Sequence, residues 1–314
     1  MLSEEFFHFS ISTFHFFYLS LRQIYTNIFK QMKDVALVLS SGGARGLAHI
    51  GVIEELESQG YRITSIAGCS MGALIGGVYA AGKLEEFRDW MKTVDKKKML
   101  ELTDFSLSLN HIVKGTRIIK AIMEFVPDMP IEELPIPYCA VATDWISGRE
   151  VVLNKGSLFE AIRASISLPS FYEPVRRDDM ILIDGGVVNP IPMNRVLRHE
   201  GDLLVGVDVS GHDYKAQWEN QQRQMEKQKN DKSLKAKLLD MITPDNIEFN
   251  YYTLLSRTSS IMIRQNSILM AQLMKPDILI DIQMSRYGSF DYDKSEKLIT
   301  IGHQKARKFF NQIY

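Results

Sequence analysis

Residues 35–82 decide the fold, and they read VALVLSSGGARGLAHIGVIEELESQGYRITSIAGCSMGALIGGVYAAG. Val35–Ser40 and Ile63–Ala67 are short apolar runs that each lead into a glycine-rich turn. Apolar residues at helical spacing follow these turns in Leu47–Gln59 and Ala73–Ala81. Short, nearly continuous apolar runs are typical of strands buried on both faces. The alternation of strand, glycine turn and helix predicts an α/β fold, with helices sandwiching a mostly parallel central sheet.

The same alternation continues further along the chain. Additional strands are predicted at Tyr138–Thr143, Glu150–Leu153, Met180–Ile183, Leu203–Val209 and Asp277–Ile282. Additional helices are predicted at Leu158–Ser165, Ile247–Met274 and Tyr292–Ile313, and a helix with Phe87, Trp90, Met91 and Val94 is predicted to end at Lys96–Lys98. We expect the functional site at the carboxyl ends of the strands, where open α/β sheets bind their ligands.

Composition divides the chain into three regions. Residues 1–34 are an apolar N-terminal extension, residues 35–212 form the α/β domain, and residues 213–314 form a mainly helical region that we expect to border the site. Gln217–Lys237 is charged and rich in glutamine, which predicts an exposed helix or a loop. Leu100–Val113 supplies apolar residues that either line a groove or pack in the core.

The N-terminal extension contains an aromatic run, Phe6–Leu21, that is too short and too polar for a spanning helix of roughly 20 apolar residues. Glu4 and Glu5 precede the run and no small-residue cleavage site follows it, unlike a secretory signal. Three interpretations stay open: an interfacial amphipathic anchor, a helix packed on the body, or an extension upstream of a start at Met32. We expect the residues before Met32 to be dispensable for folding and chemistry.

Composition also excludes several classes of protein. Apolar residues make up 45% and charged residues 24% of the 314 residues, which excludes a wholly disordered or collagen-like chain. The 37 Lys and Arg against 38 Asp and Glu give no basic field for nucleic acid. Two cysteines, Cys69 and Cys139, are too few for a disulfide framework or a cysteine zinc site. This usage fits a cytoplasmic protein. No metal-binding motif is present, so we expect neither a catalytic metal nor a cofactor.

The first chemical motif is Gly68-Cys69-Ser70-Met71-Gly72, a G-x-S-x-G sequence between a predicted strand and a predicted helix. In that context the serine occupies a sharp turn that exposes its hydroxyl, and the glycines leave room for neighbouring backbone. The start of the following helix adds a partial positive charge that favours an oxyanion. A tight turn of small residues is the alternative, but the strand before it and the helix after it favour a nucleophile.

The second motif is the glycine-rich loop at residues 41–46, SGGARG, which also joins a strand to a helix. Its successive backbone N–H groups suit either a phosphate or the oxyanion of acyl transfer. It lacks the lysine of a P-loop. It is not a convincing dinucleotide fingerprint either, because Ser41 holds the first glycine position and no acidic residue ends the following strand. A third motif, Asp184-Gly185-Gly186, follows a predicted strand, and an aspartate there either caps the turn or approaches another loop.

These three motifs, in this order, resemble the patatin-like phospholipase family. Three further stretches strengthen the resemblance: LAHIGV at 47–52, ASISLP at 164–169 and NPIP at 189–192. The resemblance spans Val35 to His199 and makes residues 35–212 a patatin-like catalytic domain. One departure is Ser41, which stands where the family usually has the first of three glycines.

The resemblance implies a serine acyl hydrolase that cleaves lipid esters through an acyl-Ser70 intermediate, with Asp184 as its partner in a Ser–Asp dyad. The amides of Gly42, Gly43 and Ala44 are implied as oxyanion-hole donors. Residues in supporting roles are Arg45, Gly46, Gly68, Gly72, Gly185 and Gly186. The implied activity is that of a phospholipase A or a lysophospholipase.

The residues by themselves leave alternatives open. His199, His212 and His303 all follow Asp184, so the Ser–Asp–His order of an α/β-hydrolase triad also fits. A transacylase and a non-catalytic adaptor with the same fold are the other functional alternatives. Peripheral membrane contact is an alternative for the aromatic N-terminal run and for Lys96–Lys98, although a lysine run usually ends a solvated helix.

Overall fold

Eight strands form one mixed sheet in the described part of the chain. The computed structural model describes residues 33–102, 116–169, 171–211, 251–284 and 286–313. The strands are β1 (Lys33–Leu39), β2 (Tyr61–Cys69), β3 (Tyr138–Asp144), β4 (Glu150–Leu153), β5 (Val175–Arg177), β6 (Met180–Asp184), β7 (Leu203–Asp208) and β8 (Ile278–Asp281).

Eight α-helices accompany these strands within the same residues. They are α1 (Ala48–Ser58), α2 (Met71–Ala80), α3 (Leu84–Lys92), α4 (Lys96–Leu102), α5 (Thr116–Met123), α6 (Leu158–Ser165), α7 (Tyr251–Met274) and α8 (Ser295–Ile313). Short 3₁₀ helices lie at Gly43–Leu47, Ile131–Glu133, Gly185–Val187 and Tyr292–Lys294.

The sheet has a parallel body and an antiparallel arm. Its strand order is β5-β6-β3-β2-β1-β7-β8, and β4 pairs with β3 as well. The pairings that join β3, β2, β1, β7 and β8 are parallel, whereas β4, β5 and β6 pair antiparallel. The α/β fold with a largely parallel sheet is therefore confirmed, and the antiparallel arm is a feature that the sequence pattern did not indicate.

Strands β2 and β6 lie end to end along the same edge of β3. Val141 pairs with Cys69 of β2 and also with Val152 of β4, so these two strands lie on opposite edges. The next residue, Ala142, pairs with Asp184 of β6 while still facing β4. Strand β6 therefore begins to pair with β3 where β2 stops, and the last residues of β2 and β6 meet.

Both faces of the sheet are buried. Alternate residues of a strand point to opposite faces, and in β1 the side chains of Val35, Leu37 and Leu39 join the core that includes α1 and α2. The side chains of Ala36 and Val38 join a smaller core on the other face, against Ile191, Met193 and the C-terminal part of α7. Helices sandwich the sheet as predicted.

Several boundaries differ from the sequence prediction. The helix with Phe87 was predicted to end at Lys96–Lys98, and this is wrong, because α3 ends at Lys92 and the lysine run begins α4. Asp95 explains the difference, since its carboxylate accepts the backbone N–H of Lys98 at 2.7 Å and so caps a new helix. The short elements α5 and β5 were not predicted.

The C-terminal region shares the sheet with the domain before it. Strand β8 pairs in parallel with β7, so the sheet crosses the boundary predicted at residue 212. The N-terminal run at Phe6–Leu21, the segment Gln217–Lys237 and most of Leu100–Val113 lie outside the described residues. Among the residues that are described, no helix is both long and apolar enough to cross a membrane.

Helices α1 and α8 cross in close contact at two glycines. A Cβ added at Gly302 would overlap the carbonyl oxygen of Ala48, and one added at Gly51 would overlap that of Ile299. Backbone atoms cannot move aside as a flexible side chain can, so this crossing requires glycine at both positions. The contact holds the C-terminal helix α8 on the α/β domain.

We expect Gly302→Ala to lower the free energy of unfolding by about 2 kcal/mol or more, because the added methyl group forces α1 and α8 apart. Gly288→Ala is the matched control, since the nearest atom to an added Cβ there is 3.9 Å away. Urea unfolding of both variants measures the difference. Equal stability of the two variants would contradict this account of the crossing.

Candidate active site

Ser70 lies on the turn between β2 and α2 in a backbone conformation that few residues adopt. Its φ is 54° and its ψ is −122°, and positive φ is strained for a residue with a side chain. Close packing of backbone holds the turn, because a Cβ at Gly68 would overlap the carbonyl oxygen of Gly72. A Cβ at Gly72 would in turn overlap that of Leu39. The two motif glycines thus allow the turn to press against β1.

A serine from α6 fixes the turn to the sheet. The backbone N–H of Ser70 donates to Ser165 Oγ at 2.9 Å, and Ser165 Oγ donates to the carbonyl oxygen of Val141 at 2.7 Å. Ser165 belongs to the ASISLP stretch, and this link gives that stretch a structural role at the site. No pattern in the amino-acid sequence pointed to this contact.

Ser70 and Asp184 are in direct contact. Ser70 Oγ donates to Asp184 Oδ2 at 2.5 Å, and the other carboxylate oxygen accepts the N–H of Gly186 at 2.7 Å. Asp184 is only 3% exposed. Burial raises the pKa of this carboxyl to about 6, although the hydrogen bonds from Ser70 and Gly186 oppose the shift. The carboxylate is therefore a stronger base than an ordinary aspartate.

The glycine loop faces this pair, and one of its three predicted donors is occupied. The N–H of Ala44 donates to the carbonyl oxygen of Ser289 at 2.8 Å, whereas Gly42 and Gly43 line the cavity in front of Ser70. Gly43 has a φ of 57°, in the left-handed region that favours glycine. Arg45 is buried and its Nε donates to the carbonyl oxygen of Gly42 at 3.1 Å, which stabilises the loop.

Two other motif glycines allow close approach. A Cβ at Gly46 would overlap the side chain of Met71, and a Cβ at Gly185 would overlap the carbonyl oxygen of Val141. Each motif therefore contains a glycine that lets its loop lie directly against a neighbouring element. This packing brings the three loops together at one end of the sheet.

Ser41 replaces the usual first glycine of the loop without backbone strain. The described non-glycine residues with positive φ are Ser70, Asp178 and Lys275, so Ser41 does not need glycine's freedom. Its N–H donates to the carbonyl oxygen of Pro190 at 2.8 Å. Its buried hydroxyl has no hydrogen-bond partner among the described residues.

The described histidines lie away from the Ser70–Asp184 pair. His49 Nε2 is 2.9 Å from the carbonyl oxygen of Ser40, and burial lowers the pKa of this ring to about 4. The ring is neutral near pH 7 and braces the glycine loop. The backbone N–H of His199 donates to the carboxylate of Asp202, and His303 Nε2 is 2.7 Å from a carboxylate oxygen of Glu54. His212 lies outside the described residues.

A cavity of about 240 Å³ opens in front of Ser70. Helix α7 borders it, as expected for the C-terminal region. Ser289 and Phe290, from the loop after β8, border it too. Individual residues of this wall were not predicted. Most of the remaining wall is apolar and comes from Met71, Leu74, Ile118, Ile119, Ile122, Ile166, Leu168, Pro169, Phe171 and Tyr172.

A partly buried ion-pair cluster fixes α7 beside the sheet. Arg264 of α7 donates to Asp208 Oδ2 and to Asp281 Oδ2, each at 2.7 Å. These aspartates end β7 and β8. Burial raises the pKa of Asp208, and the guanidinium opposes that rise. The cluster therefore positions the helix that forms one wall of the cavity, although nothing in the sequence pattern pointed to it.

The described residues contain no group of three or more His, Cys, Asp or Glu side chains arranged to hold a metal ion. The two cysteines are buried thiols. Cys69 Sγ lies 4.0 Å from Asp184 Oδ1, and burial raises the pKa of its thiol well above the usual range. Cys69 is therefore protonated, which is the less reactive form of a thiol.

A serine on a strained strand-to-helix turn, paired with a buried aspartate beside a glycine-rich loop, defines a class of α/β proteins with a nucleophile elbow. The sequence profile described as patatin-like phospholipase matches residues 37–197, about half of the chain. The chain belongs to the patatin-like phospholipase family.

Relatives match the chain over the same part. An uncharacterized NTE family protein of Mycobacterium bovis is 47% identical over 177 residues, which are 56% of this chain and 49% of that protein. The chain thus spans about half the length of this relative. Neuropathy target esterase of Drosophila melanogaster is 31% identical over 187 residues, 57% of this chain and 13% of that protein. VipD from Legionella pneumophila has a solved structure with a TM-score of 0.46 and 16% identity, covering 90% of this chain and 67% of VipD.

We expect Asp184→Asn to raise the free energy of unfolding at pH 8 by about 1–3 kcal/mol. The pKa of Asp184 is higher in the folded protein than in the unfolded chain. The cost of its charge is therefore fully present above about pH 6 and disappears as the pH falls toward 4. Urea unfolding at pH 8 and pH 5 measures the gain, which is smaller at pH 5.

Asp144→Asn is the contrasting variant. The Asp144 carboxylate accepts hydrogen bonds from Ser147 and from backbone N–H groups, and these lower its pKa. Replacing it with asparagine weakens those bonds, so stability falls instead of rising. A fall in stability with both variants would show that burial does not govern the charge of Asp184.

Proposed function

We propose that the protein hydrolyses carboxylic esters of lipids through an acyl-Ser70 intermediate, with Asp184 as the general base. The observation that carries the proposal is the 2.5 Å hydrogen bond from Ser70 Oγ to the buried Asp184 Oδ2. A base whose pKa lies near 6 is charged at neutral pH and still has the affinity to take a serine proton.

In the first step, the proton of Ser70 Oγ moves to Asp184 Oδ2 as Oγ forms a bond to the ester carbonyl carbon. The carbonyl oxygen becomes an oxyanion. Collapse of this intermediate breaks the ester C–O bond, and the alcohol leaves with the proton from Asp184. A water molecule then gives a proton to Asp184 and attacks the acyl carbon, which forms a second intermediate. Collapse of this intermediate breaks the bond to Ser70 Oγ, which takes the proton from Asp184, and releases the fatty acid.

The oxyanion in this mechanism accepts hydrogen bonds from Gly42 and Gly43. The Ala44 amide is bonded to Ser289, so we assign it to positioning the loop. The N-terminus of α2 adds a partial positive charge beside Ser70. Arg45 acts through the Gly42 carbonyl oxygen and positions the loop.

The substrate class is supported by the cavity wall and by the relatives. The wall is largely apolar, which suits an acyl chain. One relative is named an esterase, and the family is described as phospholipase-like. We propose a phospholipase A or lysophospholipase. Four residues that line the cavity also expose large apolar side chains, which supports contact with a lipid surface: Val187, Leu255, Met262 and Phe290.

We expect a fluorophosphonate probe to label Ser70 and Ser70→Ala to abolish both labelling and ester hydrolysis, because the hydroxyl is the group that forms the covalent bond. Peptide mapping of the labelled protein identifies the serine. Ser58→Ala, at the end of α1 with its hydroxyl on the Glu55 carbonyl, is the control and keeps both properties. Labelling at another serine would refute the assignment.

A second prediction concerns the base. We expect kcat/KM for a soluble ester to rise with pH through an apparent pKa of about 6 and then to level off, because Asp184 accepts a proton only as the carboxylate. Asp184→Asn folds and loses this activity. Alanine variants of His199, His212 and His303 each stay within about tenfold of wild type, or 1.4 kcal/mol of barrier. A histidine variant as inactive as Asp184→Asn would replace the dyad with a triad.

A further inference from the structure

The apolar part of the cavity wall lies between α2 and α5. Met71 and Leu74 come from α2, and Ile118, Ile119 and Ile122 come from α5. Met71 follows Ser70 directly in the chain, so the apolar wall begins beside the nucleophile. The cavity therefore has an apolar path that leads from the Ser70 hydroxyl into the interior.

The wall on the side of the glycine loop has a different character. Hydroxyl-bearing side chains lie there, namely Ser41, Ser210 and Ser289, and α7 adds Ser259 and Ser260 beside the apolar Leu255, Met262 and Ile263. A carboxylic ester bound at Ser70 has one apolar part, the acyl chain, and one more polar part, the alcohol. The division of the wall suits the acyl chain on the α2–α5 side and the alcohol on the serine side.

A second, smaller void of about 10 Å³ lies beyond the apolar wall. It is lined by apolar residues of the neighbouring helices, including Phe87, Trp90 and Met91 of α3. The two voids share the residues that separate them: Met71, Leu74, Ile118, Ile122 and Tyr292. The acyl-chain side of the cavity thus ends at a shared apolar partition with a small apolar void behind it.

Ile122 is the most deeply buried member of this partition. Its side chain has no exposed surface, whereas Met71 and Tyr292 each retain a little. Ile118 lies one helical turn before Ile122 and faces the same two voids. The next residue, Met123, is on the outer face of α5 and is 41% exposed.

We propose that the acyl chain of the substrate extends from Ser70 between α2 and α5, and that Ile122 sets the longest chain that fits. Ile122 acts by contact with the end of the chain and takes no part in the bond-breaking step. This inference rests on the proposed ester hydrolysis. It adds which part of the substrate enters the interior and which residue determines its length.

The test compares kcat/KM for a series of p-nitrophenyl esters from acetate to palmitate. The readout is the ratio of kcat/KM for the decanoate ester to that for the butyrate ester, because a ratio cancels any loss of folded protein. Ile122→Ala removes about three side-chain carbons and opens the partition. We expect it to raise the ratio by at least about tenfold, since each extra buried methylene is worth about fourfold and the freed space takes two or more.

Two further variants keep the result interpretable. Ile122→Phe fills the partition and lowers the ratio, and Ile122→Val, which disturbs packing least, raises it by about fourfold. Met123→Ala is the matched control on the same helix and leaves the ratio unchanged. Ratios within twofold of wild type for all three Ile122 variants would overturn the assignment of Ile122.

Failure of the proposed function gives a different result. If the wild-type protein hydrolyses none of the esters, ester hydrolysis itself is wrong. If it hydrolyses them and the Ile122 variants keep the wild-type length profile, the acyl chain lies elsewhere. A long-to-short ratio that changes with Met123→Ala as much as with Ile122→Ala would likewise refute a specific role for Ile122.

Discussion

The meeting of β2 and β6 on one edge of β3 is the constraint on which the site depends. Strand β2 stops at Cys69, pairing with Val141, and β6 stops at Asp184, pairing with Ala142. These two strands run toward each other and end at neighbouring residues of β3. The residue that follows β2, Ser70, therefore lies beside the last residue of β6, Asp184. The hydrogen bond between Ser70 and Asp184 follows from this register. A shift of one residue would turn Asp184 to the other face of the sheet.

The fold carries two local costs at this point. Ser70 adopts a positive φ that is unfavourable for a serine, and Asp184 is a buried carboxylate whose pKa burial raises. Close backbone packing through the motif glycines and the link from Ser165 to Val141 hold the strained turn in place. Costs of this kind concentrate at functional sites, where pre-organisation requires arrangements that a purely structural site would avoid.

The cavity is assembled from parts of the chain that are far apart in sequence. Residues of α2 and α5 supply its apolar wall, and α7 supplies another wall about 140 residues later in the numbering. The Arg264 ion pairs attach α7 to the ends of β7 and β8, and the Gly51–Gly302 contact attaches α8 to α1. The C-terminal region therefore completes the site as well as the core.

The sequence alone determined the local elements and the three motif loops. Strands such as Val35–Ser40 and the turn at Ser70 were predictable because apolar periodicity and glycine placement act over a few residues, and the resemblance named Ser70 and Asp184 as partners. Tertiary structure decided the rest. It made β6 antiparallel, committed the Ala44 amide to Ser289 and kept His199 and His303 away from Ser70. It also set Ile122 between two voids. Each of these depends on contacts between residues distant in the chain, and such contacts leave no periodic signal in the segments that make them.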